Sequence, residues 1–215
     1  MGFDLEGLLL RLPVVLFALT VHEFMHGWVA HKCGDDTALR AGRLTFNPLA
    51  HLDPIGTLCL MFAPIGWAKP VPVNPANFAY ETRRRDEILV SGAGVAANFA
   101  MAIGFALILR FFGETLVATS QVGPILFEIV LMGTYINFAL AIFNLLPIPP
   151  LDGSHILQNL LPLNAAIIYA SYRRYGVFVL VGLILASRSL GRATGVSLLE
   201  YPILKLMKFF SGYEF

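Results

Sequence analysis

The sequence predicts an all-α polytopic membrane protein, and three observations predict it. The chain of 215 residues is 57% hydrophobic, with a mean hydropathy of +0.71. Only 13% of it is charged, about half the roughly 25% of a soluble domain. Its apolar residues also gather in uncharged runs long enough to cross a bilayer, which takes about 20 residues. This charge content counts against a soluble enzyme or a disordered chain. Fifteen basic and fourteen acidic residues give a net charge of +1, so no basic excess points to nucleic acid. The lipid bilayer is the expected partner.

The expected core is about three spanning helices, a short re-entrant segment and an extended hairpin-like loop, followed by one or more C-terminal helices. A single integral membrane domain is expected over 1–215, with its core at 7–156 and C-terminal helices in 157–215. The N-terminus carries no basic n-region and no small-residue cleavage site, so the first apolar segment is expected to stay in the protein. That segment, about Gly7 to His31, is long enough to span, yet His22, Glu23 and His26 fall in its second half. Ionisable residues at such depth are costly and usually functional. Residues 32–52 read as a polar loop. Pro54 to Ala68 is uncharged but short for a crossing, and reads as re-entrant or tilted.

The stretch from Gly66 to Pro75 alternates prolines, which forbid a helix and favour extended backbone. Ile88 to Leu109 is an uncharged run rich in Gly, Ala and Ser, and small residues four apart allow close helix approach in lipid. Ile129 to Leu151 is a second such run. Pro147, Pro149 and Pro150 end its helix by about Leu146, with Asp152 just beyond. Tyr175 to Ser187 is apolar but short, and spans only if Ala165 to Tyr172 contributes. Val196 to Phe210 reads as an amphipathic interfacial helix. Two cysteines, Cys33 and Cys59, make no disulfide framework.

Lys32, Arg40, Arg43, Lys69 and Arg83 to Arg85 fall on one side if residues 54–68 do not cross, and the positive-inside rule makes that side cytoplasmic. Helices over 88–110 and 124–146 then go out and return. Asp152 arrives at the level of His22 and His26.

His22-Glu23-Phe24-Met25-His26 is an HExxH motif. On a helix, histidines four apart share a face and can bind one metal ion, and neutral imidazole suits Zn²⁺. Glu23, offset by one residue, can reach a metal-bound water without being a ligand. A catalytic zinc takes a third protein ligand and keeps one position open. Asp152 leads as that ligand, with His51 and His155 as competitors. Pro-Leu-Asp-Gly is also a good turn, and Asp a good N-cap.

Taken together, His22–His26, Asn144 to Gly153 and Gly66–Asn74 resemble the site-2 protease family of intramembrane zinc metalloproteases, in the short subgroup without an inserted PDZ or CBS domain. The resemblance runs from about Leu12 to Ile156. It implies that His22, His26 and Asp152 bind one Zn²⁺ per chain, that Glu23 is the catalytic acid/base, and that Asn144 helps hold substrate near the metal. Ser91 to Asn98 resembles the family's third-helix motif, with Val95 where a proline is usual and Asn98 retained; Asn98 is a further candidate for substrate contact.

The implied function is a zinc metalloendopeptidase that cleaves peptide bonds in or near transmembrane segments of other membrane proteins, with its active site near the cytoplasmic side. Its substrate would be a transmembrane protein or peptide. Between its prolines, the extended segment keeps N–H groups on Lys69, Val71 and Val73, which can receive an unwound substrate strand by edge pairing. The alternative is a membrane metal-binding or metal-transport protein that uses the same ligands without hydrolysis.

Overall fold

The computed structural model describes residues 5–56, 67–119, 122–195 and 197–214. Four helical stretches are long and apolar enough to cross a membrane. Helix α1, Leu5–Lys32, carries the HExxH motif. A one-turn helix α2, Thr37–Arg40, follows. Helix α3 is Arg83–Ala118 and α4 is Gly123–Leu145. The short α5, Asp152–Leu160, precedes α6, Leu163–Ser171, and α7, Gly176–Thr194. A 3₁₀ turn at Arg173–Tyr175 joins the last two, and the whole run Leu163–Thr194 is the fourth candidate span, with the 165–172 stretch contributing to it. Helix α8, Glu200–Ser211, closes the chain. Among the described residues there is no named strand, and the chain is an all-α polytopic membrane protein.

Composition explains the architecture from inside outwards. Large apolar side chains such as Phe111, Phe112 and Phe178 are exposed, whereas Asn98, Thr134 and Asn137 are fully buried. That is the reverse of a soluble fold, and it suits a protein whose solvent is lipid. Helix α3 packs against α1, α4, α5 and α8. Its small residues bring backbones close: a Cβ on Gly94 would sit 2.6 Å from His26 Nε2, and the face of α4 meets Phe105 at Gly133.

Two expectations change. Helix α3 is 36 residues long, about 54 Å at 1.5 Å per residue, and so exceeds the roughly 30 Å hydrocarbon core. The uncharged run marks only its membrane part; the helix itself starts at the Arg83–Arg85 cluster. The tail helix α8 does not lie free at the interface. Its Ile203 and Met207 are buried against Ala102 and Phe138, with Phe210 beside them, so its apolar stripe completes the core of α3 and α4. The re-entrant segment expected over 54–68 lies largely outside the described residues, since 57–66 are not among them.

The expected helix boundary after α4 is seen. The chain turns through Pro147 to Leu151, which is the N-cap, and Asp152 is the first residue of α5. Trp67 to Asn74 runs without helix, touching the chain at an isolated bridge between Ala68 and Leu52, and ends in a 3₁₀ turn at Pro75–Asn77.

Candidate metal centre

His22 and His26 stand one turn apart on α1 and face α3. His22 Nδ1 donates to Asn98 Oδ1 at 2.6 Å, and His26 Nδ1 donates to the Val90 carbonyl at 2.7 Å. Asn98 and Val90 have no proton to give through these oxygens, so the hydrogen bonds assign the ring protons to Nδ1. Both Nε2 atoms then carry free lone pairs. They lie 3.0 Å apart. Asp152 Oδ2 is 3.2 Å from His22 Nε2 and 3.3 Å from His26 Nε2.

Three electron-rich atoms therefore meet with no proton between them. That arrangement is repulsive unless a cation shares it. Asp152 Oδ2 is itself buried with no hydrogen-bond partner, although such groups are normally satisfied. The triangle also has a suitable size. Four ligands at about 2.0–2.1 Å in a tetrahedron are roughly 3.3 Å apart. His22, His26 and Asp152 form the one group of this kind among the described residues that can hold a metal ion. To serve as a ligand the Asp152 carboxyl must be ionised.

The histidines are held from behind. Asn98 is fully buried. Its Nδ2 donates to Asn137 Oδ1 at 2.8 Å and to the Ala18 carbonyl at 3.3 Å, while Asn137 Nδ2 donates to the Gly133 carbonyl at 2.8 Å. The relay from α4 through α3 to α1 fixes which end of the Asn98 amide faces His22. Asn98 is thus placed behind the His22 imidazole, on the far side from Asp152.

In front of the triangle lies a cavity of about 530 Å³. Glu23, Val71, Val73, Asn144 and His155 line it together with the three ligand candidates. The Val71 N–H donates to Glu23 Oε2 at 2.7 Å, so the extended segment passes beside the glutamate. Lys69 is not on the cavity wall. Its N–H donates to the His51 carbonyl at 2.8 Å, and its own carbonyl accepts from Arg43 Nη2 at 2.7 Å. Two of the three N–H groups considered for edge pairing are therefore engaged within the chain. Asn144 Nδ2 donates to the Leu140 carbonyl at 3.0 Å, and the residue lines the cavity.

The competing third ligands go elsewhere. His51 Nε2 donates to the Thr45 carbonyl at 2.9 Å, and His155 meets Arg173. Sequence reasoning missed Asn137 and the glycine Gly94. The signal for Asn137 was an amide inside an uncharged run, two helical turns before Asn144; for Gly94 nothing beyond the general abundance of small residues marked it.

Comparison with known proteins finds metalloprotease relatives. The family model for Peptidase family M50 matches residues 116–187, which include Asn144 and Asp152. YwhC of Bacillus subtilis, named as a candidate zinc metalloprotease, is 40% identical over 168 residues, covering 77% of this chain and 75% of that protein. MJ0611 of Methanocaldococcus jannaschii, similarly named, is 38% identical over 157 residues, covering 73% of each. Rip2 of Mycolicibacterium smegmatis, again named as a candidate zinc metalloprotease, is 31% identical over 173 residues, 79% of this chain but only 64% of Rip2. No solved structure matches the chain. With 40% identity over three quarters of a relative's length, the chain belongs to peptidase family M50, the site-2 protease family.

Proposed function

We propose that the protein is an intramembrane zinc metalloendopeptidase that hydrolyses peptide bonds in or near transmembrane segments of other membrane proteins. One observation carries this reading. Three proton-free ligand atoms converge at 3.0–3.3 Å on the wall of a cavity that also holds a glutamate, inside a bundle of membrane-spanning helices. His22, His26 and Asp152 would hold one Zn²⁺ per chain. Bound there, zinc supplies a Lewis acid that polarises the scissile carbonyl and lowers the pKa of water toward about 7.

The chain's own groups do the rest. Glu23 takes the proton from the attacking water and later gives it to the leaving amine. Val71 holds Oε2 of Glu23, so the proton rides on Oε1. The Asn144 amide orients the substrate carbonyl or backbone from α4. An unwound substrate strand lies along Trp67–Asn74, which forms one side of the cavity. The whole chain, 1–215, works as one membrane domain. Lys32, Arg40, Arg43 and Arg83 to Arg85 cluster in the sequence around the loop that opens on the cavity, which supports a cytoplasmic mouth.

The test is zinc analysis beside cleavage of a model transmembrane substrate by purified wild type and Glu23→Gln. Wild type should carry about one zinc and cleave. Glu23→Gln should keep the zinc and lose cleavage, because an amide cannot accept the proton. Zinc without cleavage in the wild type would favour metal binding or transport instead.

A further inference from the structure

His155 stands three residues beyond Asp152 on α5, and residues three apart share a helix face. It accordingly lines the same cavity as His22, Glu23 and Asp152, although it is outside the metal triangle. Its Nε2 lies 2.9 Å from Nη2 of Arg173, on the 3₁₀ turn between α6 and α7. A guanidinium offers donors only and stays protonated. The contact therefore runs one way: Arg173 donates, and His155 Nε2 supplies its lone pair. The single proton of the neutral ring is left on Nδ1. Burial first, then the charge of Arg173, push the pKa of His155 below its ordinary value, so the ring is neutral at pH 7. Among the described residues no group accepts from Nδ1.

A cavity-lining side chain thus carries an N–H with no acceptor among the described residues, and a cation holds the other nitrogen of its ring. The geometry points to His155 as a further catalytic residue, whose Nδ1–H donates to the scissile carbonyl oxygen as that oxygen gains charge, with Arg173 as the positioning residue that fixes the donating tautomer. As water adds to the carbonyl carbon, the C=O π pair moves onto oxygen and the hydrogen bond from Nδ1 strengthens. When the C–N bond breaks, the pair returns to form the C=O bond, and the leaving nitrogen takes its proton from Glu23. His155 transfers no proton at any point. An interaction that strengthens only as charge develops raises kcat and leaves ground-state binding alone. The inference rests on the protease reading above.

The experiment uses the full-length zinc-loaded protein in detergent, a model transmembrane peptide substrate, and a phosphinic peptide that mimics the tetrahedral state. His155→Leu should lower kcat by about 10²–10³-fold, the range for removing one oxyanion donor. KM and zinc content should stay within about twofold, and affinity for the phosphinic peptide should fall with kcat. His155→Gln, which keeps an N–H donor, should recover about tenfold or more of the loss. Nitrogen-15 NMR of labelled histidine should show His155 protonated at Nδ1 in the wild type and a tautomer mixture in Arg173→Met. An unchanged kcat in His155→Leu, a loss confined to KM, or zinc loss in both His155 variants would overturn the inference while leaving the protease reading intact. A wild type that holds zinc but cleaves nothing would overturn both. If His155→Leu fails to fold, His155→Gln and Arg173→Met decide it. Phosphinic-peptide affinity should stay within about tenfold of wild type in His155→Gln and drop in Arg173→Met, and equal affinity in wild type and Arg173→Met overturns the inference.

Discussion

The N–H of Val71 and the carboxylate of Glu23 are joined at 2.7 Å, so the extended segment and the HExxH helix form one unit. Gly27 makes the approach feasible, since a Cβ there would lie 3.0 Å from the Val71 side chain. The segment is pinned at its far end by Asp35, just past α1. Asp35 is fully buried. Its Oδ2 accepts from the Asn74 N–H at 2.7 Å, and its Oδ1 from Asn77 Nδ2 at 2.6 Å and from the Thr37 N–H and hydroxyl.

Asp35→Asn should therefore loosen the segment without touching the metal triangle. Zinc content should hold, amide exchange over 67–77 should quicken, and KM should rise. Burial pushes the Asp35 carboxyl up, but the hydrogen bonds from Thr37, Asn74 and Asn77 outweigh it and hold the group below its ordinary value. A depressed folded pKa means stability that is present above the unfolded value of about 3.9 and lost as pH falls through the folded one. The stability gap between wild type and Asp35→Asn should be widest near neutrality and close below about pH 4. A gap independent of pH would show that Asp35 does not act as a carboxylate.

The Asn137–Asn98–His22 relay predicts an effect on zinc from residues that never touch it. Outer-sphere hydrogen bonds to metal-binding histidines are worth about 10–100-fold in affinity. Asn98→Ala should lose that much in a zinc competition titration. Asn137→Leu should lose less, because Asn98 still reaches the Ala18 carbonyl. Equal zinc affinity in all three proteins would remove the relay's role.

Metal removal should cost stability only where the triangle is complete. A ligand that binds the folded state alone stabilises by about 2.7 kcal/mol at 100 times its dissociation constant. Chelation should lower the wild-type Tm and leave His22→Ala and His26→Ala unmoved. Asp152→Asn should lie between, since a neutral amide oxygen is a poorer zinc ligand.

The histidine pair was legible because HExxH carries its spacing locally, whereas Asp152 stood out through the charge bias that brings it to the same level and through the family resemblance, since Pro-Leu-Asp-Gly by itself reads as a turn. The spans were legible from apolar runs. The start of α3 was not, because Arg83–Arg85 continue a helix beyond the bilayer, where hydropathy no longer tracks helicity. The fate of the backbone donors of Lys69 and Val71 was not legible either. Prolines announce an extended chain, but its partners, His51 and Glu23, come from other segments. Asn98 was visible as a polar residue in lipid, yet its side of His22 depends on how α3 packs on α1, which no local pattern encodes.

Gly94 gives the last prediction, and its sign is a contest. Within helix α3, glycine to alanine favours the helix by about 1 kcal/mol. Against that, the added Cβ would lie 2.6 Å from His26 Nε2 and 2.7 Å from His22 Cε1, distances that real contacts do not sustain. The nearest neighbours are the rings themselves, and the rings are not free to yield. His22 is tied through Nδ1 to Asn98, and His26 to the Val90 carbonyl on the same helix as Gly94. Relief must come from α3 backing away from α1 or from the rings leaving their partners. Either change spoils the convergence of the two Nε2 atoms on Asp152. Gly94→Ala should therefore keep its helix content by circular dichroism while losing at least about tenfold in zinc affinity, as when an outer-sphere partner is removed. Cleavage should fall with the zinc. The neighbouring Gly92 has nothing within 4 Å of its Cβ direction, so Gly92→Ala should gain the helix term alone and retain zinc. If both variants behave alike, the close approach of α3 to the histidines is not what shapes the metal centre.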